Sequence, residues 1–122
     1  MPSSTEPRGG LKRGWTLGES GWSAEMDTNL LTLSRLSVPN LYVISRSLTA
    51  PPGSPTAGDG YIPAATATGP WAGKEGQIAI WDGAAWAFYA AKQGWLCVVT
   101  GEGANGVLIV RTASAWSTGV AL

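Results

Sequence analysis

The sequence predicts an α+β fold, in which one short N-terminal helix precedes a small antiparallel meander sheet of about five or six short strands. Three observations lead to this prediction. An apolar stripe with helical spacing lies within residues 23–38, short β-branched and aromatic runs follow it, and turn residues separate those runs. A strand-rich sandwich or a half-barrel is the alternative arrangement of the same strands.

Residues 1–13 predict a flexible N-terminal arm, because they are rich in proline, glycine and serine and show no apolar period. Residues 14–40 then hold the helix and an attachment segment. We expect the helix to run from Ser23 to Val38, with Glu25 and Asp27 in the first turn suiting the helix dipole and Pro39 ending it.

The predicted helix carries an apolar stripe formed by Met26, Leu30 and Leu33, with further leucines beside it. The stripe has two interpretations. It is either a coiled-coil seam that joins copies of the chain, or the face that packs on the chain's own sheet. At the rim of such an interface, Arg35 and Arg46 would supply directional contacts.

A small Trp-rich β domain is predicted over residues 41–116, followed by a C-terminal tail, 117–122. Asp82 and Gly83 predict the tight turn of a hairpin. Large apolar groups alternate onto both faces of this hairpin, so we expect the helix, the proline-rich loop or another chain to cover the second face. The predicted strands are 41–45, a short one beginning at 61–62, 77–81, 86–90, 94–100, 107–112 and a last run near Trp116.

Composition excludes several classes of protein. The 122 residues carry eight basic and eight acidic side chains, and only 13% are charged. Nucleic-acid binding needs a basic stripe, which this balance does not provide. No stretch has the length of a signal peptide's apolar region or of a membrane span. A surface with so little charge is best explained if other subunits cover part of it.

The chain contains no histidine and a single cysteine, Cys97. Imidazole bases, thiolate zinc sites and internal disulfides are therefore excluded. Cys97 lies in the run WLCVV, which is typical of a buried strand. We predict no catalytic residue, no metal and no cofactor, and hence no enzyme.

Seven tryptophans are the most unusual feature of the composition. Trp81, Trp86 and Trp95 could form a platform that stacks on sugar rings, with Asp82 binding hydroxyl groups. The interpretation that we favour makes these indoles the core of the domain. Asp59 and Asp82 could also form a carboxylate pair for glycoside cleavage, but each lies beside a glycine in a turn signal, which favours turn formation.

The order of these motifs resembles an uncharacterised domain family of tailed bacteriophage and prophage virion proteins, which are tail-fibre or tail-associated. The resemblance covers residues 14–116. It is carried by GWSAEMDTNLLTLSRL in the helix, PPGSPTAGDGYI in the loop, and TGPWAGKEGQIAIWDGAAWAFYAAKQGWLCVV across the hairpin.

The resemblance implies a structural component of the virion that attaches a fibre or contacts the host surface, and it gives no catalytic residue. Its partners would be copies of itself, as a trimer or ring, and other phage tail or fibre proteins, with host surface polysaccharide as a further ligand. It would be made in the host cytoplasm and reside in the tail or fibre. The alternatives are a carbohydrate-binding or depolymerising module and a capsid decoration protein.

Overall fold

The computed structural model describes residues 4–8, 10–16, 18, 20–36 and 41–122. The predicted α+β class is confirmed: one helix accompanies sheets of short, mostly antiparallel strands. The chain divides into two compact units, Met1–Leu41 and Tyr42–Leu122. Within the described residues, no helix is long and apolar enough to cross a membrane.

The first unit begins with a short hairpin. Strand β1 (Ser4–Thr5) pairs antiparallel with β2 (Lys12–Arg13). The turn between them is closed by two backbone hydrogen bonds, from the Glu6 amide to the Leu11 carbonyl and from the Gly10 amide to the Glu6 carbonyl. The described part of the predicted arm therefore has regular backbone pairing.

Helix α1 (Trp22–Leu36) follows and begins one residue before the predicted start. Its predicted end at Val38 and Pro39 lies outside the described residues. The helix is attached to β2 by Asn29, whose side-chain oxygen accepts from the Lys12 amide at 2.7 Å while its side-chain nitrogen donates to the Lys12 carbonyl at 3.0 Å. A polar side chain thus makes the helix-to-hairpin contact, and Asn29 is the buried residue of α1.

The second unit contains two sheets. The first has the strand order β3-β7-β8-β9, and the second has the order β4-β5-β6. The strands are β3 (Tyr42–Val43), β4 (Gly60–Tyr61), β5 (Ile78–Trp81), β6 (Trp86–Tyr89), β7 (Leu96–Val99), β8 (Val107–Val110) and β9 (Val120–Ala121).

The strands of the second unit form two sheets in place of a single antiparallel meander, and one strand pairing is parallel. Strand β3 pairs with β7 in parallel, with Tyr42 opposite Val98 and Val43 opposite Val99. Such a pairing joins residues that are far apart in the sequence, so no turn signal predicts it. The meander prediction relied on turns between successive strands and therefore did not include this pairing.

The backbone of residues 42–46 joins the two sheets. On one side, the amides of Thr100 and Gly101 donate to the carbonyls of Val43 and Ile44. On the other side, the Ile44 amide donates to the Gly60 carbonyl at 2.8 Å, and an isolated parallel bridge joins Ser45 to Tyr61. We call residues 42–46 the shared segment.

Gly101 is required where the shared segment approaches the end of β7. Its amide donates to the Ile44 carbonyl at 3.0 Å. A Cβ atom at position 101 would overlap the same carbonyl oxygen, and both sides of this contact are backbone. Only glycine fits without a shift of one strand end.

Arg46 fixes the end of the shared segment to two distant parts of the chain. Its guanidinium binds both carboxylate oxygens of Glu102, at 2.9 and 3.0 Å. It also donates to the carbonyls of Ser117 and Thr118, each at 2.8 Å. The hydrogen bonds from Arg46 to the Glu102 carboxylate lower the pKa of Glu102 below its ordinary value. Burial acts in the opposite direction, and the positive charge of Arg46 lowers the pKa further.

We predict that Gly101→Ala lowers the free energy of unfolding by about 1–3 kcal/mol, because the new methyl group must displace backbone. Gly53→Ala is the matched control, since no described atom lies within 4 Å of the added Cβ. It should change stability by less than about 0.5 kcal/mol. Denaturant unfolding followed by tryptophan fluorescence measures both, and equal stability of the two variants would contradict the proposed close approach.

The lowered pKa of Glu102 predicts a pH-dependent contribution to stability. The contribution is fully present above the ordinary glutamate pKa and is lost as the pH falls through the lower folded-state value. The stability difference between the natural chain and Glu102→Gln should therefore shrink between pH 7 and pH 3. Thermal unfolding at several pH values measures it, and a constant difference would show that the ionised pair does not stabilise the fold.

Candidate functional site

Four aromatic side chains meet on one face of the β4-β5-β6 sheet. We call Tyr61, Trp71, Trp81 and Trp86 the aromatic cluster. The register pairs Trp81 with Trp86 and Ala79 with Phe88, so these residues share a face. Ring centroids within the cluster lie 5.2 to 6.0 Å apart, in tilted or edge-on geometry.

Trp71 is the centre of this cluster. It ends a short 3₁₀ helix, Gly69–Trp71, that follows the proline-rich loop and lies over the hairpin face. Its side chain is fully buried, and its indole N–H has no hydrogen-bond partner among the described residues. Leaving a buried donor unpaired costs about 1–3 kcal/mol, so packing of the large ring must offset that cost. Trp71 is a core residue.

The structure brings together only some of the residues of the predicted sugar site. Trp81 and Trp86 are half-buried neighbours, with ring centroids 5.2 Å apart. Asp82 lies in the adjoining turn. Trp95 precedes β7 and therefore belongs to the other sheet, where its carbonyl accepts from the Arg111 amide.

Both aspartates of the predicted carboxylate pair form turns. Asp82 accepts hydrogen bonds from the amides of Ala84 and Ala85, each at 2.7 Å. Asp59 accepts from the Thr56 amide at 2.9 Å. These contacts agree with the turn interpretation of both residues.

Lys74, which the sequence analysis did not single out, adds a cation beside the β5-β6 hairpin. Its ammonium group lies 5.1 Å from the centroid of the Phe88 ring. The spacing of 14 residues between them carries no local signal, since the contact depends on how the loop folds over the hairpin.

Helix α1 exposes most of its apolar side chains. Met26, Leu30 and Leu33 are 38%, 57% and 49% exposed, and Trp22 on the same face is 53% exposed. The spacings of four, four and three residues align these four side chains, which we call the helix stripe. Arg35 lies in the last turn and is half-buried. The sequence analysis missed Trp22 because it placed the helix start after it.

Cys97 is buried in β7, and burial raises the pKa of its thiol to about 12, although the nearby charge of Arg46 acts in the opposite direction. The thiol is therefore protonated near neutral pH and is a poor nucleophile. In the described part of the chain, no group of three or more cysteine, aspartate and glutamate residues could hold a metal ion.

The chain matches a protein family that has no assigned activity. Residues 29–117 match the family described as Protein of unknown function (DUF2793), and the chain belongs to this family. The matched region runs from the second half of α1 through β8. No curated protein and no solved structure matches the chain.

Proposed function

We propose that this protein is a structural component of a bacteriophage virion, tail-fibre or tail-associated, that assembles through its helix stripe and attaches a fibre or contacts the host surface. The observation that supports the proposal is the exposed apolar face of α1. A helix in a small protein normally buries its apolar stripe, whereas the four side chains of the helix stripe are 38–57% exposed.

The spacing of the helix stripe suits another helix. Met26, Leu30 and Leu33 follow the alternating steps of four and three residues that place apolar side chains along a coiled-coil seam. Trp22 extends the same face by one turn. Burying apolar surface contributes about 25 cal/mol for each Å² before the entropy cost of association is subtracted. Identical helices from several copies would each cover the stripe of a neighbour.

The proposed mechanism is multivalent attachment. Copies held in a trimer or ring present several identical surfaces, and each bound surface raises the effective concentration of the next. Weak individual contacts are then sufficient for firm attachment, and no catalytic group is needed. The resemblance of residues 14–116 to virion domains supports a location in the phage tail or fibre.

Carbohydrate binding is a second candidate function, favoured by one observation. Trp81 and Trp86 form a half-exposed pair of indoles beside the Asp82 turn, and such pairs stack on sugar rings. Trp95 does not join this pair's sheet, so the binding surface would be smaller than the sequence suggested. Quenching of indole fluorescence by bacterial surface oligosaccharides, lost in Trp81→Ala, would support this function. New reducing ends would instead indicate depolymerisation.

We predict that the purified chain forms a trimer or a larger ring and that Leu30→Asp converts it to a monomer, because a charge in the seam must be desolvated. Leu31→Asp is the matched control. Leu31 is 47% exposed but lies about 100° around the helix from Leu30, away from the stripe. Light scattering at two protein concentrations measures the mass. A monomeric natural chain, or equal effects of the two variants, would contradict assembly through the stripe.

The virion location predicts that purified phage particles carry the chain. Antibodies against it should label the tail or fibre in electron micrographs, with particles from a strain lacking the gene as the control. Label on the head would support the capsid decoration alternative. Label absent from intact particles would contradict a virion role.

A further inference from the structure

Three side chains form a row at the end of the β3-β7-β8-β9 sheet where β7 begins and β8 ends. The Arg111 amide donates to the Trp95 carbonyl at 2.9 Å, which extends the β7-β8 pairing by one residue. On its other side, Arg111 forms an isolated antiparallel bridge with Trp116. Opposite residues in a sheet place their side chains on the same face. We call Trp95, Arg111 and Trp116 the Arg111 row, and all three are half-buried.

A β-bulge sets the position of Trp95 in this row. Gly94 and Trp95 together oppose Arg111, because the Gly94 amide donates to the Arg111 carbonyl at 2.8 Å while the Arg111 amide donates to the Trp95 carbonyl. Gly94 has a φ of +98°, and the Trp95 amide closes a turn onto the Lys92 carbonyl at 3.1 Å. This is the bulge type whose first residue is a glycine of positive φ. Bulges are frequent beside functional sites, where they redirect a side chain.

The loop before β5 supports the other two members of the row. The Trp116 indole N–H donates to the Gly76 carbonyl at 2.9 Å, which fixes the ring and satisfies its polar edge. Arg111 also lies against Gly76, because a Cβ atom at position 76 would come within 3.4 Å of a terminal guanidinium nitrogen. The indole and the guanidinium are therefore held by the same short loop.

The guanidinium of Arg111 keeps most of its hydrogen-bonding capacity free. Its Nε donates to the Thr112 carbonyl at 3.2 Å. Within the described residues, its two terminal nitrogens have no hydrogen-bond partner and no carboxylate pairs with its charge. Arg46, by contrast, uses its guanidinium fully on Glu102 and on two carbonyls. A free planar fork between two indoles suits an anionic group that comes from outside the chain.

We infer that the Arg111 row binds a carboxylate-bearing sugar of an acidic polysaccharide. This inference rests on carbohydrate binding, the second candidate function, but it assigns that function to the other sheet and names the class of ligand. A carboxylate accepts two parallel hydrogen bonds from a guanidinium, and the apolar faces of a pyranose ring stack on indoles.

Both kinds of contact in the row are needed to select this ligand. An inorganic anion would use the guanidinium but leave the two indoles without a contact. A neutral apolar ligand would use the indoles but would desolvate the guanidinium without pairing its charge, which is costly. An acidic sugar uses the indoles through its ring and the guanidinium through its carboxylate.

Isothermal titration calorimetry on the full chain tests the inference with oligosaccharides of galacturonic, glucuronic and sialic acid. Each is compared with its methyl ester, which keeps the ring but removes the negative charge. We expect at least one acid to bind at least about tenfold more tightly than its ester, because the ester cannot form the charge-assisted pair. Binding of none of the acids, or equal binding of acid and ester, overturns the inference. Equally tight binding of tetraglutamate would indicate an acidic peptide as the ligand and would also overturn it.

Substitutions in the row locate the site. Arg111→Gln should weaken binding of the acid at least about tenfold, and Arg111→Lys, which keeps the charge but not the fork, should restore it only in part. Trp95→Ala should also weaken binding. Trp81→Ala is its matched control, because it removes an indole from the other sheet.

Circular dichroism verifies that each variant remains folded. If the variants at positions 95 and 111 do not fold, ¹⁵N NMR spectra of the natural chain decide the question. The ligand should then shift the signals of the Arg111 Nε–H and of the Trp95 indole N–H, and unchanged signals at both positions would contradict binding at the row.

The outcomes separate this inference from the earlier proposals. Sugar binding that Trp81→Ala abolishes, but that Arg111→Gln and Trp95→Ala leave unchanged, overturns the inference and leaves carbohydrate binding at the indole pair intact. Lower stability of Arg111→Gln with unchanged affinity would show a structural role for Arg111 and overturn the inference. Absence of binding by every sugar, charged or neutral, overturns carbohydrate binding at both places. Assembly through the helix stripe is measured separately, by light scattering of Leu30→Asp.

Discussion

The second unit depends on one constraint, which is that a single stretch of backbone must hydrogen-bond to two sheets at once. The shared segment meets the end of β7 on one side and β4 on the other. Gly101 allows the close approach at Ile44, and Arg46 fastens the segment's end to Glu102 and to the chain leading into β9. The two sheets are joined to each other by this arrangement.

Sequence analysis succeeded where the determining interactions are local. The hairpin around Asp82 and Gly83 was predicted because a side chain that caps its own turn leaves a recognisable pair of residues. The helix was found within one residue of its start for the same reason. The parallel pairing of β3 with β7 was missed, since its partners are 56 residues apart and no spacing rule connects them. The partners of Arg46 are equally distant, so its role at Glu102 could not be read from the sequence.

For the candidate surfaces too, the sequence identified the residue types but not their burial. The spacing of the helix stripe was visible in the sequence, but the exposure of its side chains was not, because burial depends on contacts between segments that no spacing rule connects. The indoles were considered as a binding platform, yet Trp71 and its neighbours largely fill the space between loop and hairpin. The surfaces that remain apolar are instead mostly aliphatic and lie on α1 and on β7 and β8. Low charge and exposed aliphatic side chains together are typical of a chain that is completed by association.

The shared segment also has a consequence for how the chain reaches its native state. Residues 42–43 pair with 98–99, and Arg46 contacts residues 117 and 118, so the contacts that join the two sheets close very long loops. Loop closure costs entropy before the contacts can offset it, and domains dominated by such pairings fold slowly. The β5-β6 hairpin is local and can form early, whereas the contacts that join the two sheets need residues 42 to 118. Until those long-range contacts form, the edges of both sheets are open to pairing with other strands.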